Sequence, residues 1–220
     1  ISEIAWLLNL RGEDIEFNPV FLSYLLVGER ETHLFVHLEA LDESAKKELT
    51  AHGITLRPYE STAQLLRSLD VRKTLIGYAG SMNRQVVEHF QELGLRSVCT
   101  SAVTPVPALR AVKDEREIAG FRRAMELDGV ALVRFRRTLD EIIEKGAIAQ
   151  ETELSIEQRL TAFRAEHPDF RGLSFGTIAG YGAHGAIVHY EADESSNAPL
   201  AARSFLLLDS GAHYISGTTD

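Results

Sequence analysis

Seven apolar residues, Ile118, Phe121, Met125, Leu132, Phe135, Leu139 and Ile142, recur at steps of three, four or seven. That spacing is the stripe of one long amphipathic helix. Asp114 and Glu117 stand three apart at its start in a capping-box arrangement, and Gly146 lies just past its end. A second helix is expected from about Thr152 to Glu166, with Leu154, Leu160 and Phe163 on its apolar side and Pro168 as its stop. From Leu173 onward the chain becomes β-like and punctuated by glycine.

Before the long stripe the pattern differs. Strands are expected at Glu3–Asn9, Phe21–Val27, His33–Leu38, Ile54–Arg57, Thr74–Tyr78 and Ser97–Thr100, all short and rich in β-branched or aromatic residues. Helical segments alternate with them. Asp42 can cap one ending near His52-Gly53, Ser61 one through Leu69, and Asn83 the segment Gln85–Leu93, with Gly94 just beyond it. Such alternation argues an α/β fold, a sheet with helices packed on it. Thr104-Pro-Val-Pro-Ala108 has the look of a linker, which divides the chain into domains at 1–105 and 106–220.

Composition removes several function classes. The chain has 220 residues, 45% of them apolar and 25% charged, and a formal charge of −9. That balance argues against a nucleic-acid surface, which needs clustered Lys and Arg; Arg134, Arg136 and Arg137 are explained by a helix face. The single cysteine, Cys99, cannot close an intrachain disulfide and is expected to be a buried, inert thiol on a short strand. Apolar runs such as Tyr24–Val27 and Phe205–Leu208 are far too short to span a bilayer. No secretory signal is visible, so no membrane association is expected and the cytoplasm is the default compartment. The chain opens at Ile1 in an apolar stretch, as a sequence beginning inside a longer reading frame would.

The segment Ser204–Asp220 carries the most chemistry. An apolar run ends in Asp209, and Gly211 and Gly217 flank a stretch that can turn. A hairpin whose paired positions sum to 429 sets Ala212 against Gly217, leaves 213–216 as the loop, and opposes Asp209 to Asp220. Opposed residues hold their Cβ atoms roughly 4.5–5.5 Å apart, where like charges repel. A divalent cation between the carboxylates removes that penalty, and oxygen ligands suit Mn²⁺ or Mg²⁺ or, with added His, Zn²⁺ or Co²⁺. The plainer alternative makes both aspartates solvated turn residues. Against it, Asp209 ends a four-residue apolar run, where an unpaired charge is expensive. Two carboxylates still make only half of a catalytic metal site.

His189 is the second candidate. In a strand Gly185–Tyr190, Ile187 and His189 share one face and Val188 and Tyr190 the other. It is either a satisfied core histidine or a donor to a substrate carbonyl or anionic intermediate. His184 and His213 are expected to be mostly solvated. His33 and His37, four apart on a strand, are separated by roughly 13 Å and cannot share an ion. No phosphate loop, Cys-x-x-Cys pair or Gly-x-Ser-x-Gly elbow occurs, and nothing marks Ser210 as a nucleophile.

Leu208-Asp-Ser-Gly-Ala-x-Tyr-x-x-Gly-Thr-Thr-Asp220 resembles the first metal-binding motif of the pita-bread metallopeptidases, specifically the Xaa-Pro aminopeptidases (aminopeptidase P). Ala5–Gly12 and Asn18–Tyr24 resemble the second N-terminal domain of the three-domain members. Ala111–Ile118 resembles the lead into the catalytic domain, and Leu173–Phe175 with Gly185–Tyr190 the strands before the metal motif. The resemblance implies a creatinase-like mixed sheet with helices, followed by the first half of an α+β pita-bread domain.

It further implies that Asp209 and Asp220 are the first two ligands of two divalent ions, usually Mn²⁺, one carboxylate bridging them. His189 would contact substrate and help stabilise the intermediate. The implied reaction is removal of the first residue from peptides with proline second, by a homodimer, with Trp6 and Arg11 in a segment that approaches a neighbouring subunit's active site. Members of the family supply a further His and two Glu ligands downstream, so this chain is expected to be an inactive fragment of such an enzyme. Rival readings are a non-catalytic pita-bread module that binds protein or peptide, an Xaa-Pro dipeptidase (prolidase) and a creatinase.

Overall fold

A computed structural model describes residues 1–100 and 105–220. It resolves two compact units, Ile1–Val112 and Lys113–Asp220.

The first unit opens with a helix, α1 (Ser2–Leu7), where a strand was expected. Ala5 is buried, with Ile4 and Leu8 packed beside it against Val20, Phe21, Leu34 and Val36. That helical spacing is too short in six residues to stand out from strand-like composition. Asn9, at φ 50°, ends the helix in the left-handed conformation, and Leu10 N–H and Asn9 N–H return to the carbonyls of Ala5 and Trp6, a Schellman closure. Arg11 Nη1 donates to the carbonyls of Ala5 and Leu10 at 3.0 and 2.9 Å.

β1 (Ser23–Val27) and β2 (Thr32–Val36) form an antiparallel pair, and β3 (Ile54–Pro58) joins β2 in parallel. The crossover carries α2 (Glu43–Ala51), whose first turn is capped by Asp42 accepting from Ala45 N–H at 2.7 Å. α3 (Thr62–Ser68) follows; Ser61 stands at its N-cap without a side-chain hydrogen bond. A separate parallel pair, β4 (Leu75–Ala79) and β5 (Arg96–Thr100), is linked through α4 (Arg84–Glu92), capped by Asn83. Cys99 is exposed on β5, not buried. Pro105–Ala111 forms a helix, α5, in place of an open linker, while Thr104 lies outside the described residues.

The second unit begins with α6 (Glu115–Glu144), where the Asp114–Glu117 capping box forms in both directions. Its buried face is Ala124, Leu127, Asp128, Ala131 and Phe135. Of the stripe read from the larger apolar residues, Phe135 is buried and Leu139 packs beside it, while Ile118, Phe121, Met125 and Leu132 are exposed. Small residues win the inner face because the strands approach closely there; a Cβ on Gly120 would collide with the carbonyl of Ser216. α7 (Glu153–Ala165), capped by Thr152, packs on α6 and buries Ile156 and Leu160. Two small antiparallel sheets complete the unit. One orders β10 (Gly217–Thr218), β9 (Ala212–Tyr214) and β6 (Phe170–Leu173); the other pairs β7 (Ile178–Tyr181) with β8 (Leu206–Asp209). No described helix is long and apolar enough to cross a membrane.

Candidate metal centre

β8 alternates. Leu206 and Leu208 pack with Phe135, Ile156 and Leu160, while Leu207 and Asp209 stand on the exposed face. The burial penalty supposed for Asp209 therefore does not exist. The chain then leaves this sheet through Ser210 and Gly211 and enters β9.

The hairpin is real, but its register differs from the expected one. Tyr214 pairs with Gly217 and His213 with Thr218, and Thr219 N–H donates to the Ala212 carbonyl at 2.9 Å. Paired positions sum to 431 instead of 429, the turn is Ile215-Ser216 alone, and Asp209 is not opposed to Asp220. Continuing the count sets Asp220 across from Gly211. The physical cause is the Thr219 hydroxyl, which accepts from Ala212 N–H at 3.1 Å and donates to Asp128 Oδ2 at 3.1 Å.

Beneath the hairpin lies a charged network that pattern reading missed. Arg164 is completely buried. Its Nε and Nη2 donate to the two Asp128 oxygens at 2.7 and 3.1 Å, a bidentate pair. Nη2 also reaches Ser210 Oγ at 3.1 Å and the Ser210 carbonyl at 3.4 Å, and Nη1 the Gly211 carbonyl at 3.4 Å. Tyr214 donates its hydroxyl to Asp128 Oδ1 at 3.1 Å. Burial, and then the Asp128 charge, raise the phenol's pKa well above the ordinary tyrosine range. Ser174 Oγ ties the Thr219 carbonyl at 3.0 Å, and the fit leaves no room for a Cβ on Gly211, which would strike Ser174 Oγ and that same carbonyl.

His189 does not lie in a strand. Gly182–Ala186 is a short 3₁₀ segment followed by a turn, and His189 sits exposed at φ 54°, a left-handed conformation uncommon outside glycine. Backbone bending at Gly182, also at positive φ, breaks the expected alternation. The adjacent Tyr190 is buried and donates to Glu153 Oε2 at 2.8 Å. Glu153, fully buried, also accepts from Tyr181 N–H at 2.6 Å and Ala198 N–H at 2.9 Å. His184 Nδ1 lies 3.0 Å from its Oε1. Burial pushes the Glu153 carboxyl up, yet these hydrogen bonds outweigh it and hold the group below its ordinary value. His184, expected to be solvated, is thus engaged, and it also stacks on Tyr190 at 4.6 Å.

Asp209 and Asp220 thus flank one hairpin, both exposed. Their free oxygens suit a hard divalent cation. His189 lies in the connection that leaves the other end of the β7–β8 ladder. Among the described residues no group of three or more His, Cys, Asp or Glu could hold a metal ion, so these two carboxylates make no complete metal site by themselves.

Residues 1–117 match the Creatinase/Prolidase N-terminal domain and residues 119–220 match Metallopeptidase family M24. The whole chain is 39% identical over 221 residues to Xaa-Pro aminopeptidase 1 of Dictyostelium discoideum, of which it covers 34%. An X-prolyl aminopeptidase from Caenorhabditis elegans, described as a cytosolic enzyme with a di-nuclear active site, superposes with a TM-score of 0.86 at 30% identity, over 99% of this chain and 36% of that one. The Xaa-Pro dipeptidase from Bacillus anthracis superposes at 0.70 and 16% identity, over 96% of this chain and 54% of that one, a likeness of fold alone. The fold is accordingly a creatinase-like N-terminal unit followed by part of a pita-bread domain. The chain spans about a third of the length of the aminopeptidases it matches.

Proposed function

Because the chain belongs to the creatinase/prolidase family through residues 1–117 and to metallopeptidase family M24 through residues 119–220, we propose that the protein is a metal-dependent aminopeptidase. It removes the first residue from peptides with proline in second position. The observation that carries this reading is the 39% identity to an Xaa-Pro aminopeptidase along the entire chain.

In this reading Asp209 and Asp220 hold divalent ions, Mn²⁺ by preference, as two ligands of a di-nuclear set completed by other parts of the protein. The ions, when bound, lower the pKa of water and polarise the scissile carbonyl. His189, exposed on its turn, donates a hydrogen bond to the carbonyl oxygen as negative charge develops there. The buried Asp128–Arg164 pair holds the strands that carry the aspartates, and Glu153 holds the loop that carries His189. The protein works as a homodimer in the cytoplasm.

The test is hydrolysis of an Xaa-Pro-Xaa peptide by the full-length protein. Release of the first residue, abolished by EDTA and restored by Mn²⁺, is expected. Cleavage of Xaa-Pro dipeptides alone would make it a dipeptidase, and hydrolysis that survives exhaustive chelation would overturn the metal. A protein that binds the peptide but neither cleaves it nor takes up metal would be a binding module. The 220-residue chain on its own is expected to be inactive, and turnover by it would refute that expectation.

A further inference from the structure

The two aspartates are separated by ten residues of chain, yet one buried pair of side chains is bonded next to both of them. Arg164 bonds Ser210 and Gly211, the residues immediately after Asp209. Asp128 bonds the hydroxyl of Thr219, the residue immediately before Asp220. Asp128 and Arg164 are joined to each other by two hydrogen bonds in the fixed plane of a guanidinium–carboxylate fork. Asp128 also takes the Tyr214 hydroxyl in the middle of the hairpin. Both groups are buried, Arg164 completely and Asp128 with 4% of its surface exposed, so neither bonds solvent instead.

We propose that the Asp128–Arg164 fork is a clamp that sets the separation of the Asp209 and Asp220 carboxylates, with Thr219 as the positioning residue that transmits it. This rests on the assignment of those carboxylates as metal ligands. The bond from Thr219 to Asp128 sets the hairpin register, and the bonds from Arg164 hold Ser210 and Gly211. The two halves of the fork thus fix the chain on either side of the hairpin, and ligands shared by two ions need such a fixed spacing. Outer-shell partners of metal ligands are worth roughly 10–100-fold in metal affinity, and Thr219 acts one residue from its ligand, at the lower end of that range.

The experiment is Mn²⁺ titration by calorimetry of the full-length protein and of Thr219→Val and Thr219→Ser, with thermal unfolding measured alongside. Valine keeps the shape and removes the hydroxyl, while serine restores it. Thr219→Val should weaken Mn²⁺ binding about tenfold, and Thr219→Ser should bind within about twofold of the parent. Should the valine variant fail to fold, Tyr214→Phe removes another donor to Asp128 and should weaken binding in the same direction by a smaller factor. Wild-type affinity in Thr219→Val, or in Tyr214→Phe where valine does not fold, would overturn the clamp and leave the metal site standing. An equal loss in the serine and valine variants would also overturn it, since the hydroxyl would then not be the transmitting group. A parent protein that binds no Mn²⁺ would overturn the metal site and the clamp together.

Discussion

Replacing Glu153 by glutamine removes one charge from the centre of a closed hydrogen-bond hub. The carboxylate is fully buried and its two oxygens divide the donors: Tyr181 N–H on Oε1, Ala198 N–H and the Tyr190 hydroxyl on Oε2, with His184 Nδ1 at 3.0 and 3.1 Å from the pair. Glutamine keeps one acceptor and turns the other into an NH₂ donor. Whichever way the amide lies, a backbone N–H then faces a donor. A hydrogen bond to a charged group contributes about 1.5–3 kcal/mol, and a buried donor left unsatisfied costs about 1–3 kcal/mol. Since the bonds share one charge they do not sum, and Glu153→Gln should destabilise the protein by about 2–4 kcal/mol at pH 7.

The pH dependence follows from the depressed carboxyl. A group whose folded pKa lies below its ordinary value of 4.5 stabilises the fold above that pH, and the contribution disappears as pH falls through the folded value. The gap between parent and variant should therefore be full at pH 6 and 7 and narrow steadily below pH 4.5. Urea unfolding followed by circular dichroism at pH 7, 5, 4 and 3 reads both effects. A cost under about 1 kcal/mol at pH 7, or a gap that stays constant into acid, would refute the hub as an ionised anchor.

Three further outcomes follow from the same geometry. Arg164→Met leaves Asp128 charged and unpaired in the interior and should cost about 3–5 kcal/mol in urea unfolding. Gly211→Ala forces a Cβ into Ser174 Oγ and the Thr219 carbonyl and should cost about 1–3 kcal/mol, with a lowered thermal midpoint. Asp209→Asn changes an exposed side chain with no partner among the described residues, so it should abolish peptide hydrolysis in the full-length protein while moving the thermal midpoint of the metal-free protein by no more than about 2 °C.

Local chemistry was legible where it is local. Asp114 and Glu117 spell a capping box in four residues, Asp42 and Asn83 cap the helices they precede, and β2, β3 and β4 fall close to their β-branched runs. What escaped depends on tertiary partners. The inner face of α6 sets Ala124, Asp128 and Ala131 among Leu127 and Phe135, so ranking residues by hydrophobicity finds Phe135 but also selects Met125 and Leu132, which are exposed. Arg164 is a charged residue on α7, yet it is completely buried. The hairpin register depends on Thr219 finding Asp128, 91 residues away; no turn signal encodes that. His189 fell in a β-rich segment, and only the Tyr190–Glu153 anchor shows why the chain turns there. The spacing of Asp209 and Asp220 puts them on either side of one hairpin, but the register does not oppose their charges.

Equilibrium dialysis against Mn²⁺ tests the proposed role of Asp209 and Asp220 as ligands of a hydrolytic metal centre. The full-length protein should take up two ions per chain, and Asp209→Asn and Asp220→Asn should each lower that number at the same free Mn²⁺ while remaining folded. Undiminished Mn²⁺ uptake by both variants would contradict the assignment.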